Sequence, residues 1–325
     1  MPLSFRTELN CSPRTPIELH HKIVTLGSCF ADQFGQWMRS NKFQVITNPF
    51  GTTYNPISIH QLLLQSLEDS LNESLFVERD GLWYHYGYHS QWSATTREQL
   101  EQTIREQQQV VKQSIKATDV LILTYGTAWV YQLIQNNQLV SNCHKVPASQ
   151  FIKQLLDEKE IYQSFDELYK RVKALNPALR IILTVSPVRH VKDTLELNCL
   201  SKGLLRLVCH QLEQRYDSVE YFPAFEIMID DLRDYRFYER DMIHPSAEAR
   251  EYINEKFSDR YFREDTRNFI KTWDSIQKAL THRPFHLNSP AHQKFLKDTL
   301  EKLESVRNVV SVNEEIKLIQ SQLHA

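Results

Sequence analysis

In Lys22-Ile23-Val24-Thr25-Leu26-Gly27-Ser28-Cys29-Phe30 an apolar run ends in Gly-Ser where a helical period begins. Phe30, Phe34, Trp37 and Met38 fall at i, i+4, i+7 and i+8, the spacing of one helix face. The pattern predicts a strand over 22–26, a tight turn and a helix. Ser28 then sits at the carboxyl end of a strand, beside the unpaired N–H groups of a helix start. A hydroxyl in that position is a candidate nucleophile. Serine there is also the commonest kind of helix cap, and the two roles are compatible.

Outward from this unit, strands and helices alternate. A second strand is expected at 43–46, and the turn-rich Asn48-Pro49-Phe50-Gly51-Thr52-Thr53-Tyr54-Asn55-Pro56 leads into a helix from Ile57. Aromatics alternating between Leu75 and Trp92 around Asp80-Gly81 predict an inserted β-hairpin with its tip at that dipeptide. Thr95 opens a Thr-Thr-Arg-Glu capping box before a helical stripe through Leu100, Ile104, Val111 and Ile115. Val120-Leu121-Ile122-Leu123-Thr124 reads as a strand covered on both faces, and a second hairpin turns at Asn136-Asn137. A helix is expected over 148–175, interrupted near Ile161. A strand at 181–185 follows, then a helix whose stripe is Leu200, Leu204, Leu207, Val208 and Leu212, and a short strand at 219–222.

Such alternation implies parallel βαβ units, and hence a three-layer α/β/α sandwich with a parallel sheet of about five strands, as estimated from the pattern. Ligands in these sheets lie above the strand carboxyl ends. Ser28, Gly51, Gly126 and the 186–190 segment are all expected there, and Asp241-Met242-Ile243-His244-Pro245 precedes a last core helix that returns to the same rim. The domains expected are 1–260, with the hairpin insertion near 75–92, and a helical extension over 261–325. In that extension Phe269, Trp273, Ile276 and Leu280 form one stripe, and Leu296, Leu300 and Leu303 another. These stripes are expected to pack within the chain, with a homodimer through the same helices as the alternative. Residues 1–20, with three prolines, read as an extended lead-in.

Composition excludes several partners. Lys plus Arg number 38 against 40 for Asp plus Glu in 325 residues, so no basic field gathers nucleic acid or an anionic membrane. The five cysteines (Cys11, Cys29, Cys143, Cys199 and Cys209) lack CxxC spacing, which points to reduced thiols rather than a disulfide framework or a zinc ribbon. No basic leader opens the chain and no stretch approaches ~18 uninterrupted apolar residues, so a soluble, cytoplasmic protein is expected. His85 and His89 lack partner ligands and read as exposed strand residues, and no metal or cofactor is expected.

A serine nucleophile needs a base and a group that orients the base. Asp241-x-x-His244 supplies both, with His244 as general base and Asp241 as its orienting carboxylate. The bland reading of this pair is a surface loop contact. Cys29 is the competing nucleophile, since a thiol at a helix start tends toward a lower pKa, though such a cysteine is more often a small buried apolar residue. Arg189 and His190 are candidate substrate contacts, the alternative for Arg189 being an ion pair with a nearby acid such as Asp193.

Gly27-Ser28-Cys29-Phe30-Ala31, the 48–56 block, Ser186-Pro187-Val188-Arg189-His190 and Asp241-Met242-Ile243-His244-Pro245 together resemble the GSCFA family over 22 to about 250. That family looks like a branch of the SGNH, or GDSL-like, serine hydrolases. The resemblance implies a flavodoxin-like sandwich and acyl-ester hydrolysis, with Ser28 as nucleophile, Asp241 as orienter and His244 as base. It also implies an oxyanion hole from the amide of Ser28, Gly51 and the third block, here Gly126-Thr127 where the superfamily has Gly-x-Asn-Asp. Asn55 is a possible substitute donor and substrate contact. The expected substrate is a small-molecule or carbohydrate ester with a short acyl group such as acetyl. The alternatives are acyl transfer to a sugar hydroxyl, or a non-catalytic module that binds a glycan or anion.

Overall fold

The computed structural model describes residues 9, 12–286 and 289–323. In chain order, β1 (Lys22–Gly27) leads to α1 (Cys29–Ser40), β2 (Gln44–Thr47) and α2 (Pro56–Glu68). A small antiparallel sheet of β3 (Phe76–Arg79), β4 (Leu82–His85) and β5 (Ser93–Ala94) follows, then α3 (Arg97–Ala117) and β6 (Val120–Tyr125). A second antiparallel sheet, β7 (Trp129–Leu133), β8 (Leu139–Val140) and β9 (Phe151–Leu155), precedes α4 (Glu158–Leu175), β10 (Arg180–Val185), α5 (Leu195–Arg215) and β11 (Val219–Phe222). One-turn α6 (Ala224–Glu226) runs into a π-helical segment, Ile227–Leu232. Then come α7 (Ala247–Tyr261), α8 (Glu264–Thr281), α9 (Pro290–Val306) and α10 (Asn313–Leu323).

The main sheet has five strands in the order β11-β10-β6-β1-β2, with every neighbouring pair parallel. Counted along the chain this is the doubly wound order of flavodoxin-like folds, and the winding reverses between β1 and β6. Because side chains alternate along a strand, each strand feeds two cores. Val24, Leu26, Leu121, Leu123, Ile181 and Leu183 pack under residues of α2 to α5. Ile23, Val120, Ile122 and Ile182 pack with α1, the π segment and α7. Each fully buried aliphatic side chain contributes about 1.5–3 kcal/mol to this sandwich.

The lead-in runs along the second core. Ile17 is buried, and its amide donates to the Tyr261 carbonyl. Residues 1–8 and Cys11 lie outside the described residues, while Cys29, Cys143, Cys199 and Cys209 are free thiols. The stripes of α8, α9 and α10 face one another in a separate apolar cluster. That bundle docks on the far end of α1, where Trp273 Nε1 donates to the Ser40 carbonyl at 2.7 Å. It lies about 18 Å from Ser28, the length of a 12-residue helix. Among the described residues no helix is long and apolar enough to cross a membrane.

Four local expectations are corrected. Over 148–175 the first part is strand β9, paired antiparallel with β7, and the helix starts only after Asp157, whose capping box with Glu160 fixes the boundary. The cap of α3 is Thr96, which accepts from the Gln99 amide, one residue later than expected. His85 is buried, not exposed. Its Nδ1 accepts from the Gly87 amide, its Nε2 bonds the Asn72 carbonyl, and burial lowers its pKa to about 4. On α5 Leu200 and Leu207 face solvent, while Asn198, Ser201, Lys202, Leu205, Val208, Cys209 and Leu212 face inward. The hairpin tip does fall at Asp80-Gly81, where both residues take left-handed φ, 52° and 77°.

Candidate active site

Ser28 follows β1 at the reversal of the winding. Gly27 makes the turn possible: its φ is +143°, and a Cβ there would stand 2.1 Å from the Thr124 carbonyl oxygen of β6. Its amide donates to Asn48 Oδ1 at 2.8 Å, which ties the turn to the loop after β2. Ser28 caps α1, its Oγ accepting from the Phe30 amide at 3.3 Å. The same Oγ donates to Ser186 Oγ at 2.9 Å, and the residue is wholly buried. Ser186 follows β10 and its hydroxyl also accepts from the Val188 amide at 3.3 Å.

Asp241 and His244 lie on a loop closed by a bridge between Tyr238 and Pro245. Asp241 Oδ1 accepts from the amides of Ile243 and His244 at 2.8 and 3.0 Å, and Oδ2 accepts from His244 Nδ1 at 2.7 Å. The bond to the imidazole, then these amides, hold the carboxyl at about 2. An ionised Asp241 places the His244 proton on Nδ1 and leaves Nε2 as the acceptor. Arg189 secures the loop from β10: its amide donates to the Ile243 carbonyl at 3.1 Å and its guanidinium to the Met242 carbonyl at 2.9 Å. The guanidinium also lies 5.2 Å from the centre of the Tyr238 ring. Arg189 is therefore a strut for the Asp-His loop.

A cleft of about 410 Å³ has Cys29, Asn55, Thr127, Arg189, His190 and His244 in its wall. Ser28 lies one residue behind that wall, and no hydrogen bond joins it to His244. Gly51, with φ +81°, is packed against His89 instead of facing the cleft. Asn55 caps α2, with both ends of its amide engaged by Ser58 at 2.8 Å. The His190 ring stands edge-on to Tyr54, and its amide donates to Asn198.

The oxyanion-hole expectation is where the structure departs furthest from the sequence reading. All four expected amides already have carbonyl partners: Ser28 on Thr124, Gly51 on Asn48, and both Gly126 and Thr127 on Tyr54. The Thr127 hydroxyl bonds Ser201 and accepts from the Trp129 amide. For Cys29, burial and then the field of Asp32 raise the thiol pKa, outweighing the amides of Cys29 and Phe30 at the helix start. The lowered thiol expected at this position is absent.

Sequence reading missed two residues at this centre, Ser186 as the partner of Ser28 and Lys202 below it. A signal for the second exists. Asn198, Lys202, Leu205, Cys209 and Leu212 recur at steps of four and three, a helix face with a polar front end. That polar end is the part of α5 lying under the strand ends.

A doubly wound α/β protein with a capped serine at the switch point and an aspartate-oriented histidine on the same rim is thus defined. The pattern of the GSCFA family matches residues 22–257, and that of the GSCFA domain protein, C-terminal domain, matches 273–325. The chain belongs to the GSCFA family. No curated protein matches the sequence. Among solved structures it is similar to a candidate platelet activating factor from Streptococcus pneumonia (14% identity, TM-score 0.40, covering 74% of this chain and 83% of that one). It is also similar to a carbohydrate esterase family 3 protein from Talaromyces cellulolyticus (9%, 0.33, 77% and 98%) and to a Clostridium thermocellum family 3 carbohydrate esterase (13%, 0.32, 78% and 98%).

Proposed function

We propose that this protein is a serine acyl-ester hydrolase that removes a short acyl group, such as acetyl, from a carbohydrate or small-molecule ester. The observation that carries the reading is the 2.7 Å bond from His244 Nδ1 to Asp241, on the cleft whose wall begins next to Ser28. In this mechanism Ser28 Oγ attacks the ester carbonyl while His244 Nε2 takes its proton. The alcohol then leaves with that proton, and water, activated by the same nitrogen, cleaves the acyl-enzyme. Asp241 holds the tautomer and stabilises the imidazolium. The developing oxyanion is assigned to the first-turn amide of Cys29 and the positive end of α1, since the four expected amides are engaged. The depth of Ser28 behind Cys29 favours a small acyl group. Residues 1–260 would carry the reaction and 261–325 a docked extension.

One observation favours a second reading, a non-catalytic module binding a glycan or anion: Ser28 is buried and its hydroxyl donates to Ser186. Release of p-nitrophenol from its acetate separates the two. The hydrolase reading predicts turnover by the wild type and by Cys29→Ala, and none by Ser28→Ala. No turnover above buffer by the wild type, or equal turnover by Ser28→Ala, contradicts it.

A further inference from the structure

Lys202, on α5, is 1% exposed, yet its ammonium lies under the serine centre. Nζ donates to the Gly126 carbonyl at 2.7 Å and to the Ser186 carbonyl at 2.7 Å. Those two carbonyls follow neighbouring strands, β6 and β10. Among the described residues Lys202 forms no ion pair with a carboxylate. The ring of Phe225 lies 5.8 Å from Nζ. An ammonium is strongly disfavoured in an interior unless its hydrogen bonds and charge are used, and a methionine would fill the same volume. Packing alone therefore does not account for a lysine here.

Ser186 connects this cation to the nucleophile. Its carbonyl accepts from Lys202, while its hydroxyl accepts from Ser28. We propose that Lys202 is the positioning residue of the serine centre, clamping the ends of β6 and β10 so that Ser186 fixes Ser28, and setting a positive charge beneath the oxyanion formed there. The inference rests on the serine-hydrolase reading. In the step it serves, Ser28 Oγ bonds to the acyl carbon, the carbonyl pair moves onto oxygen, and the proton passes to His244 Nε2. Lys202 keeps all its protons.

The charged form is the one that works, since charge-assisted donors are the stronger ones and only the ammonium carries the field. Burial lowers the Lys202 pKa to about 7, and Cys29 of α1 opposes that shift. On α5 itself the nearest cation along the helix, Arg206, is paired with Glu226 at 2.7 Å, and β6 and β10 present carbonyls. Lys202 therefore loses charge as pH rises through the neutral range, and Ser28 reactivity should fall on the alkaline side.

The test is the rate at which a fluorophosphonate labels the full-length protein at pH values of about 5.5 to 9.5, which bracket the titrations involved. The wild type should show an alkaline fall. Lys202→Met should label roughly 10-fold more slowly at the optimum, the equivalent of one lost hydrogen bond, and lose that fall. A lysine with only a structural role would change the rate and leave the shape of the profile. Lys202→Met labelling at the wild-type rate with the same alkaline fall overturns the inference alone. So does a labelled wild type whose rate does not fall up to the upper pH, a result that stands even if Lys202→Met fails to fold. A wild type that takes no label at any pH removes the hydrolase reading and this inference with it.

Discussion

Ser28 Oγ donates a hydrogen bond to Ser186 Oγ at 2.9 Å, although β6 lies between β1 and β10, the strands that these residues follow. Attack on an ester requires that proton to pass to His244 Nε2 instead. The closed hydroxyl pair is thus the resting arrangement of the proposed enzyme.

Asp241 and His244 should be inseparable in their effect. His244→Ala should lower ester turnover on the order of 10²–10⁴-fold, the usual contribution of a general base. Asp241→Asn should also fall sharply, because an amide donor facing Nδ1 favours the other tautomer. The Asp241 carboxyl, held at about 2 mainly by the imidazole bond, adds stability that is present above its unfolded value of 3.8 and lost as pH falls through about 2. The acid limb of turnover at ordinary pH is therefore not its own. Wild-type steady-state rates in Asp241→Asn would contradict the assignment.

Arg189 should act on kcat rather than KM. It holds the Met242 and Ile243 carbonyls, so Arg189→Lys, which cannot reproduce the planar fork, should loosen the loop that carries His244. Small misplacement of a base lowers rate by on the order of 10–10²-fold. A variant whose KM rises while kcat holds would make Arg189 a substrate anchor instead.

Gly27→Ala should damage folding and site together. The left-handed φ alone costs about 1–3 kcal/mol for a residue with a side chain, and the new methyl would meet the Thr124 carbonyl. Urea denaturation should show a clear drop in midpoint. An unchanged midpoint would mean that the β1 turn does not need glycine.

The sandwich was legible because its strands are continuous apolar runs between helical periods. Val120 to Tyr125 is buried at every position, as the run Val120 to Thr124 implies for a strand covered on both faces. The Asp80-Gly81 turn was legible because its chemistry is local. Strand β9 was not, since Phe151 and Leu155 also fit a helical period and only pairing with Leu133 and Trp129 of β7 makes them a strand. The inward face of α5 departs from its leucine pattern for a related reason. The leucine stripe predicts an inward apolar face, but the inward positions near the rim belong to Asn198, Ser201 and Lys202. Ser201 and Lys202 bond Ala128 and Gly126, 73 and 76 residues away, while Asn198 bonds the His190 amide on the loop just before the helix. The Ser28, Asp241 and His244 positions were legible as motifs. That the Ser28, Gly126 and Thr127 amides are engaged by Thr124 and Tyr54 is a tertiary fact that no motif carries.

His60 should make the fold acid-sensitive. It is buried between Tyr125 and Ser164 at 2.7 and 2.9 Å, and burial lowers its pKa to about 3. The unfolded chain takes up this proton near 6.5, so stability falls as pH drops below about 6.5 and keeps falling until about 3. Urea midpoints measured between pH of about 7 and about 4.5 should decline less in His60→Gln than in the wild type. Parallel declines would place the acid sensitivity elsewhere, for example at His85.

The nucleophile is the centre of the account, and peptide mapping after fluorophosphonate treatment reads it directly. A single phosphonyl adduct on Ser28, absent from Ser28→Ala and reduced in His244→Ala, is the predicted result. An adduct on Cys29, or no adduct on a folded wild-type protein, would contradict the serine hydrolase.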